Sequence, residues 1–375
     1  MEERNLLFAK KKQMTGKNDC MLDLEYYRGK RVLVTGHTGF KGAWLCAVLL
    51  QAGAEVTGYA LEPPTNPSLF ALADIGKRMH SVIGDVRDLA HLRQVFEETM
   101  PEIVIHMAAQ PIVRESYKNP VYTYETNVMG TVHVLECVRL CDSVRSVVNV
   151  TTDKVYLNRE WTWGYRENEE LNGFDPYSNS KSCSELVTSA YQNSFFREMT
   201  RPVAVSTARA GNVIGGGDFA VDRIIPDCVR AALDGKEIIV RNPYSVRPFQ
   251  HVLEPLMVYL MIAEKQYEDP AYAGSYNVGP DETDCYTTGE LVTLFCQTWN
   301  QAVGEELHWK NVSDGGPHEA NYLKLDCSKL KSVFGWRPVW NVETAMEKIV
   351  EWTVAYRGQK DLYALMCGQI DSFVS

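Results

Sequence analysis

Short apolar runs alternate with longer amphipathic segments from Lys30 to about residue 215. The runs RVLVTG, AEVTGYAL, SVIGDV, EIVIHMAA, SVVNVTT and PVAVSTARAGNVIG are rich in β-branched residues, and helical patterns such as KGAWLCAVLLQAG separate them. This order predicts βαβ units on a parallel sheet, because parallel strands need a long crossover connection. We therefore expect an α/β fold, a Rossmann-type doubly wound parallel sheet with a smaller C-terminal lobe.

The alternation weakens after about residue 215, where polar loops separate helices such as IIPDCVRAALDG and TTGELVTLFCQTW. Residues 29–215 are predicted to form mainly the larger sheet domain, and residues 216–375 mainly a ligand-binding lobe, with some chain exchange between the two. Residues 1–28 precede the pattern as a polar, flexible N-terminal arm.

Composition and charge exclude several classes of protein. The chain has 375 residues and a formal net charge of −10, which argues against nucleic-acid binding because phosphate contacts need a basic surface. The sequence contains no uninterrupted stretch of about 18 apolar residues, which is the length needed to cross a bilayer. The N-terminus lacks the pattern of a signal peptide. The ten cysteines are scattered without a CxxC pair. We expect a cytoplasmic protein with reduced thiols that does not bind membranes.

Three glycines stand between the first predicted strand and the first helix, in VLVTGHTGFKGAW. Gly36, Gly39 and Gly42 form a GxxGxxG pattern, in which glycines permit a tight turn and let a helix N-terminus approach a pyrophosphate. The second strand lacks the usual acidic residue for a ribose, with Glu62 the nearest candidate, so it leaves NAD and NADP open. Asp85 suits either a contact with the adenine edge or a turn at the strand end.

Five residues suggest acid–base chemistry. Tyr177 and Lys181 in PYSNSKS form a YxxxK pair on one helix face, and we expect the ammonium to lower the pKa of the tyrosine so that it can accept a proton. Thr152, Asp153 and Lys154 follow a predicted strand, where open parallel sheets bind ligands. Thr152 can hydrogen-bond a reacting oxygen, and the acidic and basic pair adds groups that hydride transfer alone would not need.

Long segments of the chain resemble a known enzyme family. GHTGFKGAW, TTDKVYLNREWTWGYRENE, DPYSNSKS, GNVIGGGDFAVDRIIPDCVRA, RNPYSVRPFQHVLEP and HEANYLKLD are similar to the CDP-glucose 4,6-dehydratases of the extended short-chain dehydrogenase/reductase superfamily, over about residues 30–340. The related dTDP-glucose dehydratases carry Asp-Glu where this chain has Asp153-Lys154. Thr152, Val155 and Ser182 depart from the family's usual Ser, Cys and Gly, but none of these changes removes a reacting group.

The resemblance implies an internal redox cycle with a tightly bound NAD that is regenerated in each turnover. Tyr177 would take the proton of the sugar's 4-hydroxyl, and Asp153 would protonate the departing 6-hydroxyl. Lys154 would remove the proton at carbon 5, provided that its pKa is lowered, or would stabilise the enolate while another group acts as the base. The residues expected to hold NAD are Gly36, His37, Thr38, Gly39, Phe40, Gly42, Asp85, Val86, Ala108, Ala109, Gln110, Asn127, Tyr177 and Lys181.

A nucleotide-sugar diphosphate needs donors and positive charge. By resemblance, Asn212 and Arg247 hold the diphosphate. The full set of candidate substrate contacts is Asn212, Arg223, Arg241, Arg247, His251, Glu319 and Tyr322. For the last three, a structural role is an equal alternative. The sequence shows no cluster with metal-ligand spacing, so no metal is expected.

Two alternatives to this hypothesis stay open. The chain could be a dehydratase or 4-epimerase for another nucleotide sugar, or a non-catalytic NAD-binding scaffold, although Asp153-Lys154 favours dehydration and the intact Tyr177-Lys181 pair disfavours the scaffold. The resemblance further implies a homodimer through helices near residues 121–141 and 177–198, with a tetramer as the alternative. It also implies a place in deoxysugar biosynthesis for surface polysaccharide, such as O-antigen.

Overall fold

A central parallel sheet organises the computed structural model, which describes residues 22–281, 284–312 and 323–375. The strands that belong to this sheet are β1 (Arg31–Thr35), β2 (Glu55–Ala60), β3 (His80–Ile83), β4 (Ile103–His106), β5 (Ser146–Val150), β6 (Ala204–Ala210) and β11 (Ser275–Val278). They lie in the order β11-β6-β5-β4-β1-β2-β3, and every neighbouring pair is parallel. The predicted doubly wound parallel sheet is confirmed.

The direction of the strand order reverses between β1 and β4. In open α/β sheets, ligands bind in the crevice outside the carboxyl ends of the strands at such a point. The segments predicted to carry chemistry follow β1, β4 and β5, so the topology brings them to one edge of the sheet.

Thirteen described α-helices accompany the strands. They are α1 (Phe40–Gln51), α2 (Leu69–Leu72), α3 (Leu89–Thr99), α4 (Val113–Lys118), α5 (Pro120–Tyr124), α6 (Gly130–Leu140), α7 (Pro176–Tyr191), α8 (Ile224–Asp234), α9 (Leu253–Glu268), α10 (Thr288–Val303), α11 (Ser328–Phe334), α12 (Val342–Arg357) and α13 (Leu362–Val374). Two π-helical segments, Glu125–Met129 and Gln192–Phe196, and four short 3-10 turns, Leu24–Tyr27, Ile75–Arg78, Asp153–Val155 and Pro270–Tyr272, complete the described secondary structure.

Helices cover both faces of the sheet, which explains why apolar residues stand at successive positions of its middle strands. Every residue of β5 and β6 is buried, whereas the edge strand β3 is partly exposed. A strand with both faces covered has no solvent side on which polar residues could alternate. The run SVVNVTT therefore reads as continuous rather than alternating in the sequence.

Two predicted boundaries need correction. The flexible arm was expected to reach residue 28, but Tyr27 is fully buried and its hydroxyl donates to the carbonyl oxygen of Leu260 at 2.5 Å. Residues 22–28 thus pack against the core, and residues 1–21 lie outside the described part of the chain. The sheet also recruits β11 and helix α9 from beyond residue 215. Segments beyond residue 215 therefore belong to the sheet domain as well as to the second lobe.

A second apolar core lies beside the sheet domain and is built from α8, α10 and one face of α12. It includes Ile225, Cys228, Leu291, Phe295 and Met346. Three two-stranded pairs frame it and are formed by β7 (Val213–Ile214), β8 (Ile238–Val240), β9 (Val246–Pro248), β10 (Gln250–His251), β12 (Cys285–Thr287) and β13 (Trp309–Asn311). None of the helices in the described ranges combines the length and the hydropathy that a membrane span requires.

Candidate active site

The glycine loop after β1 is shaped by close backbone contacts. Gly36 has a φ of +79° and a Cβ there would lie 2.8 Å from the amide nitrogen of Ala108, while a Cβ on Gly42 would lie 2.1 Å from the carbonyl oxygen of Gly36. Side chains are excluded at both positions, because real Cβ contacts are longer. Gly39 precedes α1, and its N-cap position supplies no side-chain hydrogen bond. The first amides of α1 remain available for an anion such as a pyrophosphate.

The other residues of the loop are held by the neighbouring strands. His37 is fully buried, and its Nε2 lies 2.7 Å from the hydroxyl of Ser81. The Thr38 hydroxyl donates to the carbonyl oxygen of Leu61 at 2.8 Å. These contacts fix the loop across the ends of β2 and β3, where the adenosine half of a dinucleotide lies in Rossmann folds.

Asp85 and Val86 follow β3 and were predicted to contact the adenine. The Asp85 carboxylate accepts a bidentate hydrogen bond from Arg87, with 2.7 Å between Oδ2 and the nearer terminal nitrogen. Although burial acts to raise the pKa of Asp85, the hydrogen bonds from Arg87 hold it below its usual value. Val86 is buried beside Gly130. The carboxylate also accepts from the backbone amide of Arg87 at 2.9 Å, which fits the turn alternative, and the adenine contact stays a prediction.

Asn127 joins the loop after β4 to the helix that carries Tyr177. Its side chain accepts from the amide of Gln110 at 2.8 Å and donates to the hydroxyl of Ser180 at 2.9 Å. It lies in the π-helical segment Glu125–Met129, and π-helical turns are frequent at functional sites. The predicted cofactor residues Ala108, Ala109, Gln110 and Asn127 are therefore brought together along one edge of the crevice.

Asp153 presents an unsatisfied carboxylate oxygen at the end of β5. The residue is 1% exposed, its Oδ1 accepts from the Thr152 hydroxyl at 2.9 Å, and the Nζ of Lys154 lies 3.4 Å from the same oxygen. Its Oδ2 is buried and has no hydrogen-bond partner within the described chain. It faces Gly211, where a Cβ would lie 3.5 Å from it. A buried oxygen that lacks a hydrogen-bond partner and lies in a crevice can accept a hydrogen bond from a ligand hydroxyl.

The environment of Tyr177 differs from the expectation. Burial raises the pKa of Tyr177 to about 12, against the opposing effects of a hydrogen bond with Thr152 and of the Arg223 charge. The Nζ of Lys181 instead donates to the carbonyl oxygen of Val150 at 3.1 Å, and burial lowers the pKa of Lys181 to about 8. The predicted lowering of the tyrosine pKa by Lys181 is wrong for this structure, because desolvation of the phenol outweighs the neighbouring charges.

A buried ion pair that the sequence did not reveal fixes helix α7 to the sheet. Glu185, one turn after Lys181, accepts hydrogen bonds from Arg209 at 2.8 and 2.9 Å, from the Thr207 hydroxyl at 2.7 Å and from the Thr151 hydroxyl at 2.5 Å. The side chains of Glu185 and Arg209 are 2% and 3% exposed. The pair holds the Tyr177 helix against β5 and β6, which fixes the predicted catalytic residues relative to each other.

The predicted substrate arginines surround the second lobe's side of the crevice. Arg223 stands just before α8, donates to Asp218 at 3.2 Å and acts electrostatically on Tyr177. Arg247 is buried on β9, whereas Arg241 pairs with Asp222 at 3.0 Å farther along the lobe. Asn212 is half-buried, and its carbonyl oxygen accepts from the amide of Gln250. Of this set, Arg223 is the residue whose charge acts to lower the pKa of Tyr177.

His251 does not take the predicted place at a substrate. It is fully buried, and its ring lies 4.9 Å from that of Trp340 and 6.0 Å from that of Trp44. Burial lowers its pKa to about 3. The prediction of a substrate contact is corrected to a core role, because tryptophans enclose the imidazole. Glu319 and Tyr322 lie outside the described residues.

Two further residues face the reaction centre without having been predicted there. Lys41, in the first turn of α1, places its Nζ 3.5 Å from the hydroxyl of Tyr259 on α9. Lys41 could have been noticed in the glycine-loop motif, because a cation is electrostatically unfavourable at a helix N-terminus. Tyr259 was not recognisable, because the two residues are 218 positions apart.

Comparisons with known proteins agree with this geometry. A family model described as GDP-mannose 4,6 dehydratase matches residues 33–349. A curated CDP-glucose 4,6-dehydratase of Salmonella typhimurium is 48% identical over 359 residues, covering 95% of this chain and 99% of that protein. A dTDP-glucose 4,6-dehydratase of Xanthomonas campestris is 27% identical over 336 residues, covering 85% of this chain and 92% of its own.

Solved structures share the fold at lower identity. A UDP-glucose 4-epimerase of Thermus thermophilus in complex with NAD has a TM-score of 0.74 at 24% identity, over 86% of this chain and 99% of that one. A dTDP-glucose 4,6-dehydratase of Bacillus anthracis in complex with NAD has a TM-score of 0.70 at 21% identity, over 89% of this chain and all (100%) of that one. At these identities the likeness shows the architecture.

Proposed function

The chain belongs to the GDP-mannose 4,6-dehydratase family, and from this premise we propose that it is an NAD-dependent dehydratase that converts CDP-glucose to CDP-4-dehydro-6-deoxyglucose and water. The choice of CDP-glucose is supported by the 48% identity to the Salmonella enzyme over nearly the whole chain. Its product would enter deoxysugar biosynthesis for surface polysaccharide.

The observation that best supports dehydration is the buried, unpaired Oδ2 of Asp153. It lies in the same cluster as Tyr177, since the Asp153 charge acts on the phenol and Thr152 contacts both side chains. A reaction that only moves a hydride to and from one carbon needs a proton acceptor, but not a second acid. Loss of the 6-hydroxyl does need an acid, because hydroxide is a poor leaving group.

Different residues of the crevice have separate roles in the first step, the oxidation at carbon 4. Tyr177 takes the proton from the 4-hydroxyl, while Thr152 holds the reacting oxygen. Lys181 holds the helix edge against β5 through its bond to Val150. NAD, when bound, would supply a reversible hydride acceptor for the oxidation at carbon 4 and the reduction at carbon 6. The glycine loop, the amides of α1, Asp85 and the loop after β4 are the groups that would hold it.

The elimination follows from the acidity of the proton beside the new carbonyl. Asp153 donates its proton to the departing 6-hydroxyl, so that water leaves. Lys154, whose side chain is 31% exposed and lies against Asp153, is placed either to accept the carbon 5 proton or to stabilise the enolate by its charge. Return of the hydride to carbon 6 and of a proton to carbon 5 gives the 4-keto-6-deoxy sugar without net oxidation or reduction.

The solved structures that share this fold include epimerases, so a 4-epimerase is the alternative function. It would use Tyr177, Lys181 and Thr152 in the same way. It would leave the Asp153-Lys154 pair without a task, even though burial of an unpaired carboxylate oxygen costs free energy. This cost supports dehydration over epimerisation.

We extend the proposal to the assembly, as a homodimer through the helices near residues 121–141 and 177–198, which correspond to α5, α6 and α7. These helices pack together and expose Val121, Leu186 and Leu140, at 69%, 58% and 47%. Leu186→Glu should shift the protein toward monomer in light scattering, while Val221→Glu, at an equally exposed site in the second lobe, should not. A monomeric wild type would overturn this assignment. The proposed location is the cytoplasm.

A substrate panel tests the function directly. Purified protein is incubated separately with CDP-glucose, dTDP-glucose, UDP-glucose and GDP-mannose, and the products are analysed by mass spectrometry and NMR. We expect loss of one water from CDP-glucose, at a kcat/KM well above the others, without stoichiometric accumulation of NADH. An epimerised sugar that retains its mass would contradict dehydration, and preference for another nucleotide would contradict the choice of substrate.

A further inference from the structure

His106 is a buried histidine at the end of β4, a strand whose other residues are apolar. A buried polar ring costs free energy unless its hydrogen bonds are made. Both ring nitrogens have partners, because Nδ1 lies 2.7 Å from the Thr35 hydroxyl and Nε2 lies 3.2 Å from the Thr131 hydroxyl. Thr35 ends β1 and Thr131 belongs to the first turn of α6. The imidazole therefore bridges a strand end and a helix.

The partners of the two threonines fix the proton positions in this bridge. The Thr35 hydroxyl accepts from the backbone amides of the two residues that follow His106, both at 3.1 Å. Its lone pairs are thus in use, and its one proton is left for Nδ1 of His106. The Thr131 hydroxyl gives its proton to the carbonyl oxygen of Asn127 at 2.7 Å, so Nε2 of His106 must donate to it. Both ends require the same tautomer, the neutral imidazole with its proton on Nε2.

A chain of hydrogen bonds continues from this bridge to the helix of Tyr177. The side-chain amide of Asn127 donates to the Ser180 hydroxyl at 2.9 Å, and that hydroxyl donates to the carbonyl oxygen of Tyr177 at 2.7 Å. A second branch joins the hydroxyls of Thr131 and Ser184 at 2.9 Å. The chain therefore reaches α7 at two points, and one of them lies in the turn that begins with Tyr177.

The other end of the chain fixes the cofactor loop. Thr35 directly precedes Gly36, where a Cβ would lie 2.8 Å from the amide nitrogen of Ala108. The same amide donates to the Thr35 hydroxyl, which in turn donates to His106. The spacing between the glycine loop and the loop after β4 thus depends on this hydroxyl. Both loops contain residues predicted to hold NAD.

We propose that His106 is a positioning residue, which sets the place of the cofactor loop relative to the helix of Tyr177 through this chain of buried hydrogen bonds. The inference deepens the proposed function and rests on it, because Tyr177 is the proton acceptor there. Buried polar groups that are paired with one another make a rigid connection. An apolar ring of the same size would fill the space but would hold neither the loop nor the helix.

The chemistry of the ring agrees with a role in holding other groups rather than in transferring protons. Burial, followed by the charge of Lys181, lowers the pKa of His106 to about 3. The ring is therefore neutral near pH 7, as the bond that it accepts from Thr35 requires.

Three variants test the bonds of the ring. His106→Phe fills the space without either hydrogen bond, whereas His106→Gln can place an amide nitrogen near the position of Nε2. Thr131→Val removes the hydroxyl at which the chain branches and keeps its shape. The matched control is Thr353→Val, because Thr353 is a buried threonine of α12 that donates to the carbonyl oxygen four residues earlier at 2.8 Å, as Thr131 does at 2.7 Å.

The dissociation constant of NAD and the kcat with CDP-glucose are measured at a temperature where circular dichroism shows each variant folded. We expect His106→Phe and Thr131→Val to weaken NAD binding by about 3- to 10-fold, which corresponds to about one net hydrogen bond. Their kcat should fall by about 10- to 100-fold, because small displacements misalign the reacting groups. The KM for CDP-glucose should stay near the wild-type value, since the predicted substrate arginines lie outside the chain.

The control and the conservative variant complete the test. Thr353→Val should match the wild type, and His106→Gln should recover most of both losses. Because both changes break one chain, the double variant of His106→Phe and Thr131→Val should lose no more than His106→Phe alone. Additive losses would overturn the inference. So would wild-type NAD affinity and kcat in folded His106→Phe, or equal losses in Thr131→Val and Thr353→Val. If His106→Phe does not fold, Thr131→Val and its control decide the question.

The tautomer is measured separately from the nitrogen-15 shifts of protein labelled at histidine, and the signal of His106 is assigned by its absence in His106→Gln. We expect a protonated Nε2 and an unprotonated Nδ1 near pH 7, and the opposite tautomer or a charged ring would overturn the inference. If the wild type does not dehydrate CDP-glucose, the proposed function fails. The NAD affinities and the tautomer still decide whether His106 holds the cofactor loop.

Discussion

At the scale of a single residue, dehydration depends on Asp153. Asparagine at this position keeps the shape and the hydrogen bond from Thr152 but cannot supply a proton. We expect Asp153→Asn to lower kcat by about 10²–10⁴-fold. The oxidation at carbon 4 should persist, so that reduced nicotinamide accumulates and is seen by its near-ultraviolet absorbance. Asp371→Asn, at an exposed position on α13, is the control, and a wild-type kcat in Asp153→Asn would remove the assigned role.

Single residues also show where reasoning from the sequence stops. The positions of Thr152, Asp153 and Tyr177 follow from strand ends and helical spacing, because these rules are local. The pKa of Tyr177 could not be predicted, since it depends on how far folding removes water from the phenol. The core role of His251 likewise requires Trp44 and Trp340, which are distant in the sequence.

At the scale of an element, helix α7 depends on the ion pair between Glu185 and Arg209. Glu185→Gln leaves a buried guanidinium without its countercharge, which costs about 3 kcal/mol or more in the free energy of unfolding. Glu170→Gln breaks the exposed pair with Arg159 and should cost less than about 1 kcal/mol. Urea denaturation of both variants checks the difference, and equal small losses would show that the buried pair does not hold the helix.

Helix α9 begins with a buried carboxyl group that should make stability depend on pH. Burial raises the pKa of Glu254 from its usual 4.5 to about 8, and its Oε1 accepts from the amides of Val339 and Trp340. The folded state therefore binds more protons than the unfolded state between about pH 4.5 and 8. The stability contributed by this group is present below pH 4.5 and is lost as the pH rises through 8.

Glu254→Gln should remove this dependence, because the amide oxygen can still accept both backbone hydrogen bonds. We expect the variant to exceed the wild type by about 5 kcal/mol in free energy of unfolding above pH 8 and to approach it near pH 4.5. Urea denaturation across this range provides the measurement. Parallel stability curves for the two proteins would show that Glu254 is ionised in the folded state.

At the scale of the whole molecule, the sheet and some exchange of chain between the lobes were predictable, whereas the particular strand that returns to the sheet was not. The apolar runs from RVLVTG to SVVNVTT could be recognised as strands, because a strand that is buried on both faces of a sheet needs apolar residues at successive positions. The edge strand β11 is four residues long and comes after the second lobe has begun, so its pairing with β6 depends on tertiary contacts. The contact between α1 and α9 that places Lys41 beside Tyr259 arises in the same way.

The most direct measurement uses CDP-glucose that carries deuterium at carbon 4, mixed with an equal amount of unlabelled substrate bearing a different mass tag in the nucleotide. We expect the deuterium to appear at carbon 6 of the dehydrated product and to stay with its own mass tag, because hydride leaves and returns within one bound sugar. Deuterium retained at carbon 4, with or without inversion, or lost to solvent would contradict dehydration by internal hydride transfer.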